Sequence, residues 1–101
     1  MRAVDLALYA DTLAGEAAAL QARAERARSR LRQAAIERSA REELPSTTCE
    51  RLGALGVMSR IDEEAVRAEL AELVASLRAL RELQVWVESK LAAASDGMPR
   101  C

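Results

Sequence analysis

The sequence predicts an all-α protein: a long antiparallel helical hairpin, coiled-coil-like, with a short capping helix in the connector. Three observations predict this fold. The 101 residues are rich in Ala, Glu, Leu and Arg and include only four glycines and two prolines, a composition typical of long helices. Two segments carry apolar residues at heptad spacing. Pro45 and a turn-forming stretch separate the two segments.

The first helix is expected over about residues 3–43. Only Gly15 disfavours a helix there, and a lone glycine costs about 1 kcal/mol relative to alanine. With Leu6 at heptad position d, small and apolar residues recur at positions a and d on one face. The members of this seam are Ala3, Leu6, Ala10, Leu13, Ala17, Leu20, Ala24, Ala27, Leu31 and Ala34. Small residues at position a allow close approach of a second helix, which favours a tightly packed antiparallel partner.

The connector is expected to contain a short helix over about residues 48–55. Pro45 ends the first helix, because the residue before a proline is pushed out of the α region. Thr47 is a candidate N-cap in a capping box, and Leu52 and Leu55 are assigned as the apolar contacts of this helix. Gly56 stands where a left-handed C-cap is needed.

The last helix is expected over about residues 60–94, with Ser59 as its N-cap. Its seam, at alternating spacings of four and three, is Val66, Leu70, Leu73, Leu77, Leu80, Gln84, Val87 and Leu91. Gln84 is the one polar member, either solvated at the rim or buried to fix register. The arms and connector would form one domain over 1–94, and 95–101 would be a flexible tail.

The stretch from Gln21 to Arg41 carries seven arginines against two glutamates. One interpretation is that this basic segment pairs with an acidic partner helix in the same fold. The alternative is a contact with nucleic acid or another polyanion, for which Arg23, Arg26 and Arg30 are the candidates. The chain carries a net charge of −1 and the stretch has no aromatic residue, so the structural interpretation is favoured.

Trp86 lies at heptad position c, off the main seam, and Leu83 and Ala79 precede it on the same side. Tryptophan is over-represented among the anchors of protein interfaces. These three residues are therefore the candidate interface for a second copy or a helical partner. The alternative is that Trp86 covers the flank of the hairpin. Tyr9 is expected to be a packing residue.

Several function classes find no support in the residue content. There is no histidine, so the commonest general base and metal ligand is missing. Cys49 and Cys101 are far apart and lack zinc spacing; we expect two reduced thiols. No phosphate-binding loop, signal peptide or transmembrane segment is recognisable. We expect no enzyme activity, cofactor, metal or small-molecule ligand, and an intracellular location, cytoplasmic or nuclear.

The expected function is that of a non-catalytic coiled-coil interaction module, an adaptor or a small subunit of a larger assembly. Two hairpins would complete a four-helix bundle as a dimer, so the expected partner is a second copy or a helical protein, with no membrane contact. Two alternatives remain: a nucleic-acid-associated regulator that uses the arginine-rich helix, and a small chaperone-like binder of a partner helix.

Overall fold

The computed structural model describes residues 1–96, and this part of the chain is all-helical. It contains three helices: α1 (Ala3–Glu43), α2 (Ser46–Ala54) and α3 (Glu63–Asp96). The bounds of α1 are those that the sequence predicts. Of the predicted tail, 97–101 lies outside the described residues, whereas Asp96 still belongs to α3. The chain divides into two compact units, so one domain over 1–94 stays a prediction.

The start of α2 corrects the predicted helix of 48–55. The helix begins at Ser46, directly after Pro45, and no side chain caps it. The Pro45 carbonyl accepts the first helical hydrogen bonds, from the amides of Thr48 at 3.0 Å and Cys49 at 3.1 Å. Thr47 therefore lies inside the first turn and cannot be the N-cap.

The end of α2 is a Schellman motif. Leu55 is the C-cap, and Gly56 follows with a φ of 76°. The amide of Gly56 donates to Gly53 at 3.0 Å, and that of Val57 donates to Leu52 at 3.1 Å. These two bonds satisfy carbonyls that would otherwise be left at the helix end. The predicted left-handed cap at Gly56 is confirmed, but the prediction of Leu55 as an apolar contact is wrong, since it is 70% exposed.

The start of α3 corrects the predicted helix of 60–94 and its cap at Ser59. The helix begins at Glu63, because Asp62 is the residue that caps it. The Asp62 carboxylate accepts a hydrogen bond from the amide of Ala65 at 3.1 Å, which is the N-cap geometry. Ser59 lies four residues before the first residue of α3 and is not its N-cap; its amide donates instead to the Glu37 carboxylate at 3.2 Å.

Unit 1 comprises Met1–Arg23 and the chain from Leu73 onward. Its core cluster consists of Leu6, Leu13 and Val87, with Ala10, Leu80, Leu83 and Leu91 packed against it. The first part of α1 therefore packs on the last part of α3. Except for Leu83, these residues belong to the two predicted seams.

Unit 2 comprises Ala24–Glu72 and contains the last part of α1, all of α2 and the beginning of α3. Its buried residues are Ala24, Ala27, Ala34, Glu37 and Val66. The end of α1 is bridged to the start of α3 by an ion pair, Arg38 Nη1 to Glu63 Oε2 at 2.9 Å. No residue of α2 is fully buried.

Candidate interaction surfaces

Of the three residues of the predicted interface on α3, two are exposed and one packs against the core of unit 1. Trp86 is 43% exposed, and Ala79 is exposed. Leu83 is half-buried instead, because it packs against the core cluster of unit 1. An interface at this place would thus use Trp86 and Ala79 directly and Leu83 only through its exposed part. That these residues form an interface stays a prediction.

The surroundings of Trp86 fit a contact surface. Val85 beside it is 64% exposed. The ammonium of Lys90, one turn further along α3, lies 5.8 Å from the centroid of the indole ring. This is the geometry of a cation–π contact, which is worth about 0.5–1 kcal/mol at an exposed site. The lysine ammonium therefore lies over one face of the ring, while Trp86 as a whole stays 43% exposed.

A second exposed apolar group in unit 1 lies on α1 and was missed by the sequence analysis. Val4 and Leu8 stand one turn apart and are more than half exposed, and Tyr9 beside Leu8 is 45% exposed. Tyr9 is therefore only partly packed. The signal was available in the sequence: once Leu6 and Leu13 occupy the seam, Val4 and Leu8 fall at heptad positions b and f, which face away from it.

The three arginines singled out by the sequence are exposed. Among the side chains of residues 1–94, the arginines that form ion pairs are different ones: Arg2, Arg28, Arg38, Arg41 and Arg67. The predicted pairing of the basic stretch with an acidic helix thus occurs at Arg38 and Glu63. Among the described side chains, it does not involve Arg23, Arg26 or Arg30.

Glu37 is a buried carboxylate that the sequence analysis did not single out. It is 5% exposed. Its Oε1 accepts hydrogen bonds from Gln33 Nε2 and from the amide of Ser59, each at 3.2 Å. Its Oε2 accepts none from the described residues, and the guanidinium of Arg41 stands 3.9 Å away. With Leu6 at position d, Glu37 falls at heptad position g, beside the seam, so the spacing of apolar residues gives no sign that its carboxylate is buried.

Beside Glu37, unit 2 has an open cleft of about 550 Å³. One wall is a stripe of α1 at helical spacing, from Ser29 through Gln33 and Glu37 to Ala40. The other wall belongs to α2 and the turn after it. The lining is mainly apolar, and its apolar side chains are Ile36, Ala40, Leu44, Leu52, Val57 and Met58. Ile36 is 70% exposed.

Few of the other described residues are candidates for a functional site. Cys49 is a free, half-buried thiol, and Cys101 lies outside the described residues. Gln84 is half-buried, so it is neither fully solvated at the rim nor fully buried in the seam, the two predicted alternatives. Within the part of the chain that the structure describes, no cluster of three potential metal ligands occurs. None of the described helices has a stretch long and apolar enough to cross a bilayer.

Comparisons with protein-family models, with curated proteins and with solved structures find no significant match to this chain.

Proposed function

We propose that the protein is a non-catalytic helix-pairing module, an adaptor or small subunit of a larger assembly, folded as an antiparallel hairpin with α2 in its connector. Two observations support the hairpin. Within unit 1, the first part of α1 packs on the last part of α3. Within unit 2, the end of α1 is bridged to the start of α3. Both contacts are of the kind that an antiparallel pair of helices requires.

The observation that carries the proposed function is the exposed apolar surface of unit 1. Both of its helices present apolar side chains outward: Val4, Leu8 and Tyr9 on α1, and Val85 and Trp86 on α3. Exposed apolar residues that form a patch mark interaction sites, and we propose that these side chains form one. A second copy that laid its own helices on this surface would complete a four-helix bundle.

The hairpin is tested by spin labels at Ala14 and Ala92, both exposed residues of unit 1. We expect a distance within about two helix diameters of about 10 Å each. Two helices in line would instead separate the labels by about 100 Å at about 1.5 Å per residue. The second distance would exclude the hairpin.

Association is tested by Trp86→Ala. Truncation of a central interface anchor commonly costs about 2 kcal/mol or more of binding free energy, so self-association should weaken about 30-fold while helix content stays near native. Sedimentation equilibrium and circular dichroism measure the two quantities. Arg81→Ala, an exposed change on the same helix, is the matched control and should leave association unchanged. If Trp86→Ala lowers the melting temperature sharply but leaves association untouched, Trp86 is a core residue.

A second candidate function is a polyanion contact, favoured by one observation: Arg23, Arg26 and Arg30 are exposed and form no ion pair with the described side chains. A phosphate-binding protein loses orders of magnitude of affinity between about 50 and 200 mM salt. Titration of duplex DNA and RNA at both salt concentrations tests this candidate. Changing the three arginines to glutamine should remove binding that has this slope, whereas Arg78→Gln with Arg81→Gln should not.

A further inference from the structure

The cleft of unit 2 presents one accessible charge, a cation, next to apolar side chains. Its lining contains two charged residues, Arg32 and Glu37. The Glu37 carboxylate is buried and its Oε2 has essentially no exposed surface, so it offers nothing to a group that enters the cleft. Arg32 is exposed and forms no ion pair with the described side chains. Along the α1 wall it is followed by Ile36, Ala40 and Leu44, so a fitting occupant has an acid for Arg32 and apolar groups beyond it.

The N-terminal part of α1 carries a stripe of this kind on its exposed side. Val4 is 52% exposed and Leu8 is 63% exposed. Asp11, one turn after Leu8, is also exposed and forms no ion pair with the described side chains. Spacings of four and three place the three residues on one face of the helix. The stripe is therefore apolar at its beginning and acidic at its end.

The stripe and the α1 wall of the cleft match in order when the two helices run antiparallel. If Leu8 of one copy packs on Ile36 of another, the other contacts follow from the common helical spacing. The opposed residues are then Val4 with Ala40, Leu8 with Ile36, and Asp11 with Gln33 and the neighbouring Arg32. Apolar residues thus meet apolar residues, and the unpaired acid meets the unpaired base.

The distribution of charge along α1 favours the same arrangement. Residues 1–22 contain one arginine and three acids, a net charge of −2, whereas residues 23–44 contain seven arginines and four acids, a net charge of +3. Complementary charge steers association and fixes register more than it adds affinity. Pairing of the basic parts with each other would oppose charges of one sign. The first helix therefore carries both the cleft and an occupant of the required charge.

We propose that the cleft of unit 2 binds the N-terminal part of α1 from a second copy of this chain, with Val4 and Leu8 on the apolar wall and Asp11 beside Arg32. This is the recognition mode in which the apolar face of an amphipathic helix lies in a hydrophobic groove. The inference rests on the proposed helix-pairing function and names the partner of one part of the unit 1 surface. It leaves Trp86 to the contact proposed above.

Charge reversal tests the contact between Asp11 and Arg32. Asp11→Arg and Arg32→Asp each oppose like charges, so each variant alone should self-associate at least about fivefold more weakly than the native chain. An equimolar mixture of the two variants should recover association, because the altered stripe of one chain matches the altered groove of the other. Sedimentation equilibrium at about 50 mM salt, where screening is weak, measures all three samples.

The control for charge reversal is Glu72→Arg, the same type of charge change at an exposed site on α3. It should leave association unchanged. A mixture of Asp11→Arg and Arg32→Asp that associates no better than its separate components would overturn the inference.

The apolar part of the contact is tested by Leu8→Ala and Ile36→Ala. Their side chains are 63% and 70% exposed, so helix content and melting temperature should stay near native. Each variant should self-associate at least about tenfold more weakly, because buried methyl groups are lost from the contact. Their mixture should recover part of the association, since one chain keeps the groove and the other keeps the stripe. Leu55→Ala, at a 70% exposed leucine outside the cleft lining, is the control, and native association of Ile36→Ala would contradict the inference.

The Trp86→Ala chain separates this inference from the contact proposed on α3. In that background, mixing of Asp11→Arg and Arg32→Asp chains should still restore association. If Trp86→Ala weakens association while charge reversal has no effect in either background, the proposed contact on α3 stands and the inference about the cleft is wrong. A native chain that sediments as a monomer at every concentration also overturns the inference, and the cleft is then left to a helix of another protein.

Discussion

Units 1 and 2 are built from parts of the same two long helices, but their interiors differ in chemistry. The core cluster of unit 1 is Leu6, Leu13 and Val87. Unit 2 instead buries three alanines, one valine and the carboxylate of Glu37. Apolar burial contributes about 25 cal/mol per Å², so leucine stabilises a helix pair far more than alanine does. Unit 1 is therefore stabilised mainly by apolar contacts, whereas unit 2 depends more on hydrogen bonds and ion pairs.

The difference shows how one heptad pattern supports two kinds of packing. Alanine at seam positions permits close approach of helices but removes little surface from water. Around the connector, two polar contacts hold the chain in place: the Ser59 amide donates to Glu37, and the Arg38 guanidinium donates to Glu63. Such contacts are directional, so they specify one arrangement of the turn between α2 and α3.

The largest effect is expected in the core of unit 1. Leu13→Ala should lower the free energy of unfolding by about 2–5 kcal/mol, because it removes buried methyl groups and leaves a cavity. Leu8→Ala on the same helix removes the same atoms from a side chain that is 63% exposed, and it should cost far less. Urea denaturation measures both. Similar losses for the two variants would show that unit 1 has no leucine core of the kind described.

The next largest effect is expected at the buried carboxylate of unit 2. Glu37→Ala leaves the amide of Ser59 and the side chain of Gln33 without their acceptor. A hydrogen bond contributes about 0.5–1.5 kcal/mol net, so the loss of these two should cost about 1–3 kcal/mol. Hydrogen exchange should show the loss of protection around Ser59, and urea denaturation should show its size. Glu42→Ala, at an exposed site, is the control; if it costs as much as Glu37→Ala, the Glu37 contacts do not stabilise unit 2.

A smaller effect separates two glycines. Neither Gly56 nor Gly15 has another atom within 4 Å of an added Cβ, so both positions have room for a methyl group. They differ in backbone conformation, because Gly56 has a φ of 76° and Gly15 lies within the helix α1. Gly56→Ala should therefore destabilise unit 2 by about 1–2 kcal/mol through its backbone alone. Gly15→Ala should stabilise α1 by about 1 kcal/mol through helix propensity. Thermal melts of both variants test this opposition of sign, and a gain from Gly56→Ala would contradict the left-handed cap.

The sequence predicted the helices well because their signals are periodic. Pro45 ends the first helix near Glu43, and the residues of both seams are mostly buried or half-buried, Val66 and Val87 being among the most buried. These features depend only on side-chain type and spacing, which a single sequence displays.

The helix caps and the buried Glu37 were less predictable, because in each case the sequence leaves alternatives open and a contact in the folded chain decides between them. Ser59 and Asp62 are both acceptable N-caps in sequence, and in the structure the helix starts after Asp62, whose carboxylate accepts from the amide of Ala65. Glu37 itself falls at heptad position g, a flank where charged residues are usually solvated. Only the position of the connector shows that its carboxylate is needed inside.

The smallest effect concerns the ion pair of unit 2, and it tests whether polar contacts set this unit apart. Glu63 Oε2 accepts from Arg38 at 2.9 Å and from Arg67 at 3.0 Å, so Arg38→Ala alone leaves one partner in place. A double-mutant cycle with Arg38→Ala and Glu63→Ala isolates the coupling, which should be about 0.2–1 kcal/mol for a solvent-accessible pair.

Salt provides the control for this measurement. The Debye length falls from about 8 Å at 0.15 M salt to about 3 Å at 1 M, so the coupling between Arg38 and Glu63 should shrink at the higher concentration. The cost of Leu13→Ala in unit 1 should change much less, because charge screening does not act on an apolar contact. If added salt leaves the Arg38–Glu63 coupling unchanged, or alters the cost of Leu13→Ala by as much, charge is not what distinguishes the stabilisation of unit 2 from that of unit 1.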